Sequence, residues 1–384
     1  MSHHTLITMT CGVSIDLWKK TGLLSRELGY YASLSKKTGD LSFLTYDGRV
    51  DNEQKLIEPY LPKSTVFAGL ASHLVPYRFG AVLSSFFSCF LPLGKFKTVG
   101  LIRSNQFYGS WSGLILAKRL KVPFILRCGY VYSQHYEKGH SKHLVRVWLV
   151  KKLEKYVANS SDAIIVTYEN AKKYFIEEHA VHPDRITVLG NPIDTDLFHP
   201  ISEVEKTGDV ISIGRLEDQK NYFALIEACK NAGLKLTLLG KGSLKEKLEN
   251  FAKEIQAQVD FLPPVPNEEI PLILAKHKIF VLPSFYEGNP KSLLEALSSG
   301  IPCIASDISE NRLIIENGTH GLLCTTDSKS ISESLIKLIA DQNLMSKIST
   351  EGRKKILDSY SQRIIAEKEA LIHDSLLKGS SCLN

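Results

Sequence analysis

Residues Phe280–Gly300 read FVLPSFYEGNPKSLLEALSSG. Branched and aromatic residues run to Leu282 and a turn follows, so a strand ends there. Asn289-Pro290 then opens a helix, because Asn is a favoured N-cap and Pro is preorganised for the first helical position. The unpaired N–H groups of that first turn point back at the strand end, which is the geometry of an anion site. Glu287 precedes the helix and Glu295 lies inside it, among Leu293, Leu294, Ala296 and Leu297. A carboxylate in that company is costly to bury unless something hydrogen-bonds it. Two readings of Glu295 stand side by side. It holds a pair of sugar hydroxyls, or it is an exposed helix glutamate paired with Lys291 four residues earlier.

Upstream, Asp209–Ala228 reads DVISIGRLEDQKNYFALIEA. A strand ends at Ile213-Gly214, Arg215 follows in the loop, and Lys220 falls near the start of the next helix. A cation in a first turn opposes the helix dipole by about 0.3–1 kcal/mol. Glu217 and Asp218 relieve that cost, or Arg215 and Lys220 converge on a diphosphate. Arg supplies a bidentate fork and Lys a point charge, and both suit phosphate oxygens. Between these stretches lies the glycine turn Leu239–Ser243, LGKGS. Gly240 and Gly242 either admit a ligand to the backbone or make a tight connection. The turn lacks the G-K-[ST] ending of a Walker loop. The full G-x-G-x-x-G is absent here and after the first strand, where Gly12 opens the turn, which argues against a nicotinamide or flavin enzyme.

The remainder alternates strand and helix. The first series of strands is Leu6–Met9, Leu41–Thr45, Thr65–Phe67, Thr98–Ile102, Phe124–Arg127, Ala163–Val166 and Thr187–Leu189. Helical patterns run through Leu17–Leu34, Trp111–Leu120 and His143–Val157. Gly190-Asn191-Pro192 and His199-Pro200 punctuate the chain. A second series follows: Val210–Ile213, Leu234–Leu239, Val259–Phe261, Ile279–Leu282, Cys303–Ala305 and Gly321–Leu323. Tyr222–Lys230, Leu244–Ile255 and Ser292–Ser298 are its helices. Three more helices begin near Ser330, Asn343 and Ser361. Such alternation predicts parallel sheets covered on both faces, and two series predict two doubly wound α/β domains. Ligands of such folds lie outside the carboxyl ends of the strands, and a cleft between domains is a favoured place.

Composition narrows the class. With 384 residues, 43% hydrophobic and 23% charged, the chain is an ordinary globular protein of two to three domains. Lys and Arg total 47 against 41 acids, a net charge of +6, which suits an anionic ligand but is too weak to imply nucleic acid. The seven cysteines form no C-x-x-C pair, which argues against a disulfide framework and a zinc site and for a reducing compartment. Met1 to Thr10 shows no signal-peptide pattern. Ala81–Leu93 is apolar but too short to span a bilayer, which leaves a buried helix or a membrane-surface element. His143–Val157 sets Lys151, Lys152 and Lys155 beside Leu144, Val147, Trp148 and Val150, with Lys138, Lys142 and Arg146 close by. It reads as a core helix with a solvated face, or as a helix that docks on an anionic membrane.

The joint occurrence of G-R-x4-K in GRLEDQK and E-x7-E in EGNPKSLLEALSSGIPCIASD strongly resembles glycosyltransferase family 4. The match is closest from Val210 to Leu323. The resemblance implies a GT-B fold, two Rossmann-like domains facing across a cleft. Residues 1–198 would form the acceptor-side domain, completed by the C-terminal helix at about 361–384, and 199–360 the donor domain. It implies a retaining hexosyl- or N-acetylhexosaminyl-transferase that uses a nucleotide diphosphate sugar, UDP or GDP, with no other cofactor and no essential metal. Arg215 and Lys220 would bind and stabilise the departing diphosphate, Glu287 would contact donor-sugar hydroxyls, and Glu295 the ribose hydroxyls. Gly288, Asn289, Pro290, Lys291 and Ser292 would line the sugar and phosphate, and Val259–Pro264 the base.

The sequence departs from the family pattern in the N-terminal half. One glycine, Gly12, stands where many members have two. Arg127, in Leu126–Tyr130, stands in the region where many members carry a donor-contacting histidine, and His135 is a second candidate for that place. Leu313 follows Arg312 where a glutamate is common. The expected partners are a nucleotide sugar and a saccharide or lipid-linked saccharide acceptor of cell-surface polysaccharide or glycolipid synthesis. Peripheral membrane contact and a cytoplasmic location at the inner membrane face complete the expectation, with no nucleic acid. A nucleotide-sugar epimerase of the same fold and an inactive transferase-like partner protein are the alternatives.

Overall fold

The computed structural model describes residues 3–46, 50–68, 85, 91–131, 133 and 144–381. The chain divides into two compact units, Met1–Gly190 with Ile365–Asn384, and Asn191–Ile364.

In the first unit the described elements are β1 (His4–Thr8), α1 (Ile15–Lys20), α2 (Leu24–Thr38), β2 (Leu41–Thr45), α3 (Val50–Ile57) and β3 (Thr65–Ala68). There follow β4 (Val99–Ser104), α4 (Ser110–Leu120), β5 (Phe124–Cys128), α5 (Leu144–Ser160), β6 (Ala163–Val166), α6 (Glu169–Glu177) and β7 (Ile186–Val188). All neighbouring strands pair in parallel, in the order β3-β2-β1-β4-β5-β6-β7. Alternate side chains explain the two layers of helices: Leu6 packs with Ile102 and Phe124 on one face, Ile7 with Phe43 and Leu28 on the other. The expected helix Leu17–Leu34 is two helices, because the chain turns at Gly22 with φ +70°. Of the apolar segment Ala81–Leu93, residues 81–84 and 86–90 lie outside the described residues, as do His135, Cys89 and Cys382.

The second unit contains β8 (Gly208–Ile213), α7 (Tyr222–Asn231), β9 (Leu236–Leu239), α8 (Lys245–Glu254), β10 (Val259–Leu262), α9 (Ile270–Ala275) and β11 (His277–Leu282). It continues with α10 (Lys291–Ser298), β12 (Cys303–Ser306), α11 (Ser309–Arg312), β13 (Leu322–Cys324), α12 (Ser328–Ala340) and α13 (Gln342–Ser359). Its parallel sheet runs β10-β9-β8-β11-β12-β13. The order reverses between β8 and β11, so the loops after these two strands flank the topological switch point, where doubly wound folds place their ligands.

The last helix, α14 (Gln362–Ser381), returns to the first unit. Ile365 and Ala366 join its core, and Ile372, Leu376 and Leu377 pack near Leu101 and Ile125. The unit boundaries lie earlier than residue 198 and later than residue 361, for a physical reason. Ile193 N–H donates to Tyr360 O and Gln362 N–H to Ile193 O, both at 2.8 Å, and Phe198 is buried among second-unit residues. The connecting segment after Gly190 is therefore packed into the second unit. Among the described residues no helix is long and apolar enough to cross a membrane.

Candidate active site

The switch-point loop after β8 carries Arg215 and Lys220, and the loop after β11 carries Glu287. Their meeting point is an ion pair: Lys220 Nζ donates to Glu287 Oε1 at 2.5 Å, with both side chains largely buried, 11% and 8% exposed. Among the described residues Lys220 has no other polar partner, so two of its three N–H donors remain for a ligand. Arg215 is exposed and makes one long contact, Nη2 to Gln219 Oε1 at 3.4 Å. Most of its five donors are likewise uncommitted.

Two residues that the motif reading passed over hold these loops together. Gln219 accepts from Phe285 N–H at 3.0 Å through its carbonyl and donates from Nε2 to Tyr286 O at 2.7 Å. Asn221, in the left-handed region at φ +53°, donates to Pro283 O at 3.1 Å and Thr326 O at 2.7 Å. Asn tolerates that conformation better than other non-glycine residues, which is the one sequence signal it offered.

The glycine turn Gly240–Gly242 is a tight connection rather than a ligand cradle. A Cβ on Gly240 would lie 1.8 Å from Gly214 O, and one on Gly242 2.2 Å from Leu216 O. Leu216 N–H donates to Lys241 O, and the Ser243 N–H and hydroxyl both donate to Glu217, which holds that carboxyl below the usual range. The turn therefore buttresses the Arg215 loop from behind. Gly240→Ala is expected to push that loop away, lowering stability by about 1–3 kcal/mol as overpacking does. An unchanged melting temperature would show that the loop gives way at no cost.

Helix α10 begins one residue later than the Asn-Pro signal suggests. Pro290 is its N-cap, with extended ψ 104°, and no side chain caps it. Asn289 is diverted: its Oδ1 accepts from Asn191 N–H and its carbonyl from Asn191 Nδ2, both at 2.7 Å. The loop Gly288–Pro290 is thereby tied to the first residue of the unit, and the amides of Lys291 and Ser292 open the helix without a capping oxygen. Glu295 is 5% exposed, so it is not the exposed helix glutamate of the second sequence reading. It sits on α10 one helical turn beyond Lys291 and faces away from bulk water.

In the first unit, Gly12 lies in the turn after β1 with φ +77°, a conformation that suits glycine. Cys11 N–H donates to Tyr108 O at 2.9 Å, and a Cβ on Gly109 would meet Cys11 N at 2.8 Å, so this turn packs closely on the start of α4. Arg127 lies in β5, which runs one residue further than expected, to Cys128, and its N–H donates to Ser104 Oγ at 3.0 Å. Val259–Leu262 forms the edge strand β10, with Pro263 and Pro264 exposed after it. Among the described residues no cluster of three His, Cys, Asp or Glu side chains is arranged as a metal site.

Comparison with known proteins bears on both units. A family model described as Glycosyl transferases group 1 matches residues 194–355, and one described as Glycosyltransferase Family 4 matches residues 46–197. UDP-Gal:alpha-D-GlcNAc-diphosphoundecaprenol alpha-1,3-galactosyltransferase of Escherichia coli is 29% identical over 269 residues, 65% of this chain and 68% of that protein. Sucrose-phosphate synthase from Thermosynechococcus elongatus superposes with a TM-score of 0.77 at 16% identity, over 98% of this chain and all of that one. The Anabaena protein HepE in complex with UDP gives 0.75 at 16% identity, with 98% and 100% covered. The fold is GT-B, built of two parallel-sheet Rossmann-like domains.

Proposed function

We propose, on the premise that the chain belongs to glycosyltransferase family 4, that it is a retaining, metal-independent hexosyl- or N-acetylhexosaminyl-transferase. The donor is a nucleoside diphosphate sugar, UDP or GDP, bound at the β8–β11 switch point. The acceptor is a saccharide or lipid-linked saccharide of cell-surface polysaccharide or glycolipid synthesis, met in the cytoplasm at the inner membrane face. The similar Escherichia coli protein, named for UDP-Gal and a diphosphoundecaprenol-linked acceptor, supports the substrate classes.

The observation that carries this reading is the grouping of Arg215, Lys220, Glu287 and the uncapped start of α10 at one switch point. The reaction breaks the bond between the sugar anomeric carbon and the diphosphate, whose oxygen keeps the electron pair. An acceptor hydroxyl bonds to that carbon on the same face, and its proton passes to the departing diphosphate. Negative charge therefore grows on the leaving group. Arg215, Lys220 and the α10 amides would stabilise it, with Lys220 already held in place by Glu287. Glu287 and the Gly288–Ser292 segment would hold sugar hydroxyls and phosphate, and Glu295 the ribose. Gly12 and Arg127 are the residues proposed to serve from the first unit.

The test supplies UDP- and GDP-sugars with saccharide and lipid-linked acceptors, in EDTA, and follows nucleotide release and product anomer by proton NMR. The expected result is acceptor-dependent release and a product with the donor's anomeric configuration. An inverted product would overturn retention. An isomer of the donor formed without acceptor would make the protein an epimerase.

A further inference from the structure

Helix α5 turns an apolar stripe toward solvent. Val145, Trp148, Leu149 and Tyr156 are all exposed, the tryptophan by 57% and the leucine by 55%. With Lys152 they recur at i, i+3, i+4, i+7 and i+11, which is one helical face about 16 Å long. The packing is done by another face: Val157 and Ala158 are buried in the unit's core and Leu153 packs against it. The expectation of an apolar core face with a solvated basic face is therefore met only in part, since large apolar side chains and lysines share the outward face.

The cations are arranged around the rings. Lys152 Nζ stands 5.6 Å from the Trp148 ring centroid. Lys118, from α4, stands 5.1 Å from that of Tyr156 and donates to its Oη at 3.2 Å. Lys155 is exposed beside them. The one acid of α5, Glu154, does not offset this charge at the surface. It is fully buried, accepting from Ser133 N–H at 3.1 Å and Ser133 Oγ at 2.5 Å. Tryptophan and tyrosine favour the boundary between hydrocarbon and water, and lysine stems lie along apolar surface while the ammonium reaches out.

We propose that this face of α5 docks on an anionic lipid bilayer. Trp148 and Leu149 enter the boundary between headgroups and acyl chains, and Lys118, Lys152 and Lys155 meet lipid phosphates. A second copy of the chain is the poorer occupant, because the same cations would confront one another. This surface does not depend on the donor chemistry and can fail or stand separately from it.

Trp148 supplies its own probe, since Trp18 and Trp111 are buried. The experiment mixes the full chain at low salt with vesicles of phosphatidylglycerol and phosphatidylethanolamine, or of phosphatidylcholine alone. It reads tryptophan emission and co-sedimentation. Expected are a blue shift and pelleting with the anionic vesicles, both weakened by salt. Each basic residue near such a surface contributes about fivefold in partitioning. Lys152→Glu with Lys155→Glu should then lower binding at least tenfold, and Trp148→Ala with Leu149→Ser should abolish the emission change. Both variants alter exposed positions and should keep the parent's circular dichroism and melting temperature. No pelleting with either vesicle, or equal binding to neutral ones, would overturn the proposal. So would a self-association lost on Trp148→Ala.

Discussion

Lys220→Ala is expected to lower kcat about 10²–10³-fold, the cost of removing one preorganised stabiliser of developing charge. Two effects act in the same direction. The departing diphosphate loses a cation, and Glu287, 8% exposed, loses its ion-pair partner and stands as a bare carboxylate in the same site. Truncating one member of a buried pair costs much more than the pair's net worth. The double variant Lys220→Ala/Glu287→Ala should therefore be far from additive, with a coupling of about 0.5–3 kcal/mol. Lys220→Arg should not restore full activity, since a planar fork does not replace a compact ammonium held by one oxygen. The measurement is donor-saturated kcat beside circular dichroism of each variant. A fall of less than threefold for Lys220→Ala would remove the residue from the catalytic site.

Glu369→Ala is expected to destabilise the first unit by about 3–5 kcal/mol, the penalty for leaving a buried charge unpaired. Arg103 lies on β4 and Glu369 on α14, and both side chains are 1% exposed. Arg103 Nε meets Glu369 Oε1 at 2.5 Å, Arg103 Nη1 donates to Tyr31 Oη at 2.9 Å, and Tyr30 Oη donates to Glu369 Oε2 at 2.5 Å. His373 and His3 extend the chain of contacts, with ring nitrogens 3.3 Å apart. Burial by itself raises the Glu369 carboxyl. The Arg103 charge, His373 and the Tyr30 hydroxyl outweigh it and hold the group far below the usual carboxylate range.

A depressed folded value means that the stabilisation is complete above the unfolded carboxylate value of about 4.3 and fades as pH falls below it. The part of the stability that Glu369 supplies, read as the difference between parent and Glu369→Ala, should accordingly be flat from neutral pH to about 5 and decline in acid. Calorimetry should show the first unit's transition about 10 °C lower in Glu369→Ala, at about 2–4 °C per kcal/mol. Arg103→Met with Glu369→Leu should recover most of that loss, because an apolar pair needs no compensating charge. A shift below 2 °C for Glu369→Ala would show that the pair does not anchor α14.

The strand-to-helix switch-point loops were legible because their signals are local. A branched run that stops, a turn, then Asn-Pro or a polar loop before an apolar helix is enough to place Arg215, Lys220 and Glu287 in loops after strands and Glu295 in the helix that follows. What the sequence hid is non-local. Gln219 and Asn221 act on the carbonyls of Tyr286, Pro283 and Thr326, far along the chain, and no spacing rule links them. Arg103 and Glu369 are 266 residues apart, so neither announces the other.

Asn289 does not cap the helix for a related reason. An N-cap preference is a local tendency, and the tertiary contact with Asn191 prevails over it. The unit boundary moved for the same cause, since Ile193 and Phe198 pack on the second unit although the punctuation continues to Pro200. Glu295 admits both burial and exposure because Leu293, Leu294, Ala296 and Leu297 flank it in sequence while Lys291, Ser292, Ser298 and Ser299 lie one turn away on the helix. Only the position of α10 against the sheet determines which face is covered.

The second unit is proposed to bind a nucleoside diphosphate through cations rather than through a metal. The most direct test is a thermal-shift titration with UDP, GDP, ADP and CMP, each with and without a divalent ion, on the parent, Lys220→Ala and Glu295→Ala. A ligand that binds only the folded state adds about 2.7 kcal/mol at one hundred times its dissociation constant. Expected is a selective rise with UDP or GDP, the same with and without metal, and reduced in both variants. No rise with any nucleotide, or equal shifts in parent and variants, would contradict it.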